Sequence, residues 1–119
     1  QNEADGIRIN HHSKGTFAYN TVARNQKSGV KCRDSAAPVV QNNKIKRNEK
    51  DGIRMNGNSM GRVDGNTVTR NKSCGLQFRD DAAPLVQNNR IEENQQDGIR
   101  ILGNSMGTCT GNTVDGITQ

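Results

Sequence analysis

A dipeptide of glycine and an aliphatic residue returns every 23 residues, at Gly6-Ile7, Gly29-Val30, Gly52-Ile53, Gly75-Leu76 and Gly98-Ile99. Asn20, Asn43, Asn66, Asn89 and Asn112 keep the same step, as do Asn2, Asn25, Asn48, Asn71 and Asn94. Val22, Ile45, Val68, Ile91 and Val114 form a third series, and no insertion breaks the register. A constant period of this length marks a stack of like units, each burying its apolar face against the next. Composition alone points elsewhere: Leu, Ile, Val and Phe make up only 21 of 119 residues and the mean hydropathy is −0.94, a balance typical of disordered chains. The period overrules that reading, and residues 1–119 are taken as a single repetitive domain.

Inside a unit, apolar residues alternate over short stretches, as in Ile7-Arg8-Ile9, Ile53-Arg54-Met55 and Ile99-Arg100-Ile101. Alternation is the strand signature. Gly, Asn, Asp and Pro interrupt every unit too often for a helix, which excludes the helical solenoids. A leucine-rich repeat fits the period, but a chain with three Leu and two Asn series per unit fits it poorly. At roughly 3.3 Å per residue, a 23-residue unit closes as one coil of about three short strands. The expectation is an all-β solenoid of five coils, paired in parallel at ~4.8 Å. Its inward columns are Ile7/Val30/Ile53/Leu76/Ile99, Ile9/Cys32/Met55/Phe78/Ile101, Phe17/Val40/Val63/Val86/Cys109 and Val22/Ile45/Val68/Ile91/Val114. The two Asn series belong at corners, where a stacked amide bonds to the coils on both sides.

Two kinds of unit alternate. GVKCRDSAAPVVQNNKIKRN matches GLQFRDDAAPLVQNNRIEEN, and GIRMNGNSMGRVDGNTV matches GIRILGNSMGTCTGNTV, giving a 46-residue super-repeat. With its N-x-[IV]-x-x-N-x-x-x-G-[IV] pattern, the chain resembles the right-handed parallel β-helix proteins with pectate-lyase-type repeats. These include carbohydrate-binding and sugar-hydrolase β-helices, copper-site accessory proteins of nitrous oxide reductase and β-helix F-box proteins. The resemblance runs from Gln1 to about Val114; beyond it, Gly116-Ile117 stands where a corner Asn is expected. It implies a single-stranded right-handed β-helix, and an extracellular or cell-surface location. It leaves the activity open, because function resides in the site and not in the fold.

Among the outward residues of the first strand, Arg8, Lys31, Arg54 and Arg100 share a column with Gln77, and Arg33 and Arg79 lie beside it. In enzymes of the resembled fold, the corresponding groove holds an acidic polysaccharide. The competing reading is a solvated face whose cations discourage edge pairing. Just beyond come Asp34, Asp80 and Asp81, with Asp34 and Asp80 two coils, ~9.6 Å, apart. That separation is near the upper limit for an inverting carboxylate pair. One duplication accounts for both Arg-Asp dipeptides, however, and no His is expected nearby as a proton carrier.

His11-His12 and the column-mates Met60 and Met106 do not converge as metal ligands, and neither a metal nor another cofactor is expected. Cys32, Cys74 and Cys109 are too far apart to bridge and read as small core residues. Asn71-Lys72-Ser73 is a glycosylation sequon whose Asn belongs to an inward series. A net charge of +5 and the column Arg24/Arg47/Arg70 favour nucleic acid, but Phe17, Tyr19 and Phe78 provide no stacking platform, which argues against it. No apolar run is long enough for a membrane span. Neither end carries a recognisable cap, so the chain reads as an excerpt of a longer solenoid or as a unit that self-associates end to end. The sequence favours a non-catalytic structural or interaction module. A polysaccharide-active or acidic-polysaccharide-binding module is the alternative, and protein recognition along the basic face is a third reading.

Overall fold

The computed structural model describes residues 4–114 and 117–118. All its regular elements are strands. The first coil contributes Ile7–Ile9, Thr16–Ala18 and Thr21–Ala23, and each strand recurs 23 residues on, in register, through five coils. Like strands pair in parallel, producing three sheets that run the length of the stack. The first sheet gains a sixth strand, Ile117–Thr118, which sets Ile117 beside Ile99 after 18 residues instead of 23. The Gly116 departure itself lies outside the described residues.

The core is a thin prism filled by the expected columns. Val30, Ile53, Leu76 and Ile99 are buried in one, Cys32, Met55 and Phe78 in the next, then Val40, Val63 and Val86, and finally Ile45, Val68 and Ile91. Each fully buried aliphatic side chain contributes ~1.5–3 kcal/mol. Repetition of this small core is what stabilises a chain so poor in apolar residues. A fifth inward column, not anticipated, runs through the turn after the first strand, where Ala36, Ser59 and Ala82 are fully buried. Cys109 departs from expectation: it is exposed, because its strand is the terminal one of the second sheet and stacks only on Val86.

Two asparagine ladders stitch the corners. The Asn66 backbone N–H donates to Oδ1 of Asn89 (2.8 Å), and its Nδ2 donates to the Val40 carbonyl (2.8 Å) and to Asn89 Oδ1 (3.0 Å). Its own Oδ1 accepts from the backbone and side chain of Asn43, at 2.9 and 3.0 Å. The pattern repeats along the Asn25/Asn48/Asn71/Asn94 ladder, so polar corners cross the core without orphaned groups.

The residue before each ladder Asn is left-handed. Tyr19, Asn42 and Asn88 precede one series and Arg24, Arg47, Arg70 and Glu93 the other, all with φ between 55° and 60°. This turn aims the following amide into the core. The glycine of the repeat has a separate cause: a Cβ on Gly52 would lie 2.3 Å from Val68 Cγ1 and 2.9 Å from Asn71 Nδ2. The Val-x-x-Asn that closes a coil thus demands Gly where the same coil begins.

Candidate functional site

The outward positions of the first sheet form one file, with Arg8 beside Lys31, Lys31 beside Arg54, Arg54 beside Gln77 and Gln77 beside Arg100. Sequence alternation makes the five equivalent, and the structure makes them unlike. Arg8 closes on Asp5 at 3.1 Å and Arg100 on Asp97 at 2.9 Å, each pair three residues apart. Coil 3 has the same spacing in Asp51 and Arg54, but there the pair does not form. Asp51 is buried and accepts from the Cys74 backbone N–H (2.9 Å) and from Gln77 Nε2 (3.3 Å to each oxygen). Gln77, expected in solvent, is correspondingly buried.

Arg54 is left without its carboxylate. Its Nε is buried and has no hydrogen-bond partner. Next to it, the Lys31 ammonium is held below its ordinary pKa by partial burial, with Arg54, Arg33 and Arg8 adding repulsion against the pull of Asp5. No ion pair among the described residues involves Lys31, Arg33, Arg54 or Arg79. Lys31, Arg33, Asp34, Asn56, Gly57 and Asp80 line an open depression of about 320 Å³. Of the candidate residues it brings together Lys31, Arg33, Asp34 and Asp80, while Arg8, Arg54, Arg79, Asp81 and Arg100 lie outside its lining.

The two carboxylates there brace the backbone. Asp34 and Asp80 occupy left-handed turn positions at φ 57° and 58°. The Asp34 carboxylate accepts from the His11 N–H at 3.0 Å, and that of Asp80 from the Gly57 N–H at 2.9 Å. Contrary to the expectation that no His stands nearby, His11 Nδ1 lies 3.7 Å from Asp34, because the 23-residue step stacks the two positions in one column. No cluster of three or more His, Cys, Asp or Glu arises among the described residues. Cys32 and Cys74 are buried free thiols, and burial pushes Cys32 up to about 12.

The sequence profile of the right-handed β-helix region matches residues 1–119, the full length given. The chain belongs to the right-handed β-helix family. Comparison with curated proteins and with solved structures gives no significant match. In this β-helix the Asn71 of the sequon is buried within a ladder and bonded on both sides. Of its three aromatic residues, Phe78 is buried and Phe17 half-buried, and Tyr19 is 82% exposed. Sequence reasoning missed Asp51, whose only signal was the alternation Asp5/Ser28/Asp51/Cys74/Asp97 at the 23-residue step.

Proposed function

We propose that this β-helix is a non-catalytic recognition module, holding an extended acidic polymer, foremost an acidic polysaccharide, along its first-sheet face. The observation that carries this reading is the unpaired group Lys31, Arg33 and Arg54, beside carboxylates already engaged by backbone N–H groups. Parallel pairing places successive cations ~4.8 Å apart on a rigid sheet, so a polyanion meets several of them without ordering any loop. Asp34 and Asp80 act here as turn braces and not as acid and base.

Affinity electrophoresis against polygalacturonate, alginate and neutral dextran tests the proposal. Retardation by the acidic polymers only, weakened by salt and by Lys31→Ala, with no new reducing ends after long incubation, is the expected result. Equal retardation by dextran would remove the reading, and cleavage lost in Asp80→Asn would replace it with the enzymatic one.

A second reading, end-to-end association of copies, draws on ladder polarity. Between stacked side chains, each rung donates to the next one towards the C-terminus and accepts from the one before, so the two ends of a ladder are complementary. Sedimentation that shows only a 13.0 kDa species up to high concentration would eliminate it for this chain.

A further inference from the structure

From the broken Asp51–Arg54 pair we infer a discrete site on coils 2 and 3 for a tetrahedral oxyanion, a sulfate or phosphate monoester, held by Lys31, Arg33 and Arg54. The inference rests on the cationic face proposed above and specifies its ligand.

Coils 1 and 5 show what this position does when undisturbed: the arginine folds back onto the aspartate three residues before it, at 3.1 and 2.9 Å. In coil 3 Gln77 reaches down from the coil above and occupies both oxygens of Asp51. The Arg54 guanidinium is released, yet its Nε stays buried and unpartnered. A buried charged donor without an acceptor is costly, and an arriving oxyanion removes that cost.

Arg54 and Lys31 are register neighbours on adjacent strands, and Arg33 lies two residues beyond Lys31 on the rim of the depression. The three cations stand on two adjacent coils, so an anion shared among them would need acceptors in three directions. A carboxylate offers two oxygens in one plane; a sulfate or phosphate monoester offers three on a tetrahedron and up to twice the charge. Partial burial is the main cause of the lowered Lys31 pKa, and Arg54, Arg33 and Arg8 add smaller repulsions to it. Asp34 and Asp80 share the depression but have oxygens committed to the His11 and Gly57 N–H groups.

The test uses the whole chain and inorganic sulfate, inorganic phosphate and acetate, followed by NMR of the arginine Nε–H signals. Sulfate and phosphate should move Arg54 saturably and acetate should not. Arg54→Lys, which keeps the charge and loses the fork, should weaken sulfate binding roughly tenfold. Gln77→Ala leaves all three cations in the chain; by freeing Asp51 for Arg54 it should weaken sulfate severalfold, whereas a diffuse cationic face would not respond. Circular dichroism identifies any variant that fails to fold, and the wild-type titration decides the question without variants. Dextran sulfate against a phosphorylated dextran then separates the two ester sources. If Arg54 is unmoved by sulfate and phosphate while polygalacturonate still binds in a Lys31-dependent manner, this inference is overturned and the recognition face stands. If no acidic polymer binds, both fall.

Discussion

Nδ2 of Asn43 donates to Oδ1 of Asn66, 3.0 Å away on the next coil, and that same oxygen takes the Asn43 backbone N–H at 2.9 Å. One side chain thereby satisfies a buried corner that no apolar residue can serve. Asn66→Leu keeps the volume and removes the acceptor for Asn43 and the donor to the Val40 carbonyl. Two orphaned buried groups put the loss at about 3 kcal/mol. Asn20→Ala, at the exposed first rung, should cost within about 1 kcal/mol by the same reasoning. Urea denaturation of both variants checks the difference, and equal losses would refute the role given to burial.

Arg47 holds φ 57°, a region in which a non-glycine residue is disfavoured by ~1–2 kcal/mol. It forms no ion pair among the described residues, and Arg24 and Arg70 are its column neighbours, so its removal also reduces like-charge repulsion. Arg47→Gly should therefore stabilise the chain by ~0.5–1 kcal/mol, after the greater backbone entropy that glycine loses on folding. A lower thermal midpoint for the variant would show that the arginine stem contributes more packing than its strain costs.

The Asp80 carboxylate accepts the Gly57 N–H at 2.9 Å. As a brace it is replaceable by any side chain with an acceptor at the same place. Asp80→Asn should leave stability within about 0.5 kcal/mol, while Asp80→Ala should lose about 1 kcal/mol. Polymer binding should survive in both. Thermal melts and affinity electrophoresis on the two variants give the answer together.

Cys32 is fully buried and its thiol is pushed up to about 12 from an ordinary value of 9.0. Above pH 9 the unfolded chain releases this proton and the folded chain retains it, so the unfolded state binds fewer protons and stability falls as pH rises towards 12. Comparing urea midpoints of wild type and Cys32→Ala across that interval isolates the contribution: the variant should lose stability less steeply. Lys31 has the opposite sign. Its pKa is lowered in the folded state, chiefly by burial and less by neighbouring arginines, so this destabilising contribution fades as pH rises towards 10.5. Sulfate affinity should decline over the same approach, because the neutral amine no longer attracts an anion.

The ladders and columns were legible because stacking places like on like: a corner Asn works only if the next coil supplies another, and that requirement is written as a period. The turn column Ala36/Ser59/Ala82 was less visible, since small residues mark both tight interiors and ordinary loops. Cys109 was misjudged as core: its strand ends the second sheet, and its small side chain stacks on Val86 alone. The left-handed arginines gave no local sign at all. Their conformation follows from the asparagine after them, which must enter the core.

The candidate site divides in the same way. Alternation along Ile7-Arg8-Ile9 and its equivalents determines that a charged file runs down the first sheet, because side chains on a strand alternate between faces. Which of those charges are neutralised is decided by contacts between coils. Gln77 meets Asp51 across 26 residues of sequence, and Arg54 loses a partner only three residues away. The period, the fold and the two ladders were set by the sequence alone, since each depends on residues of one kind recurring at one step. The open cationic site emerged only with the tertiary structure, where two donors compete for one buried carboxylate and geometry selects between them.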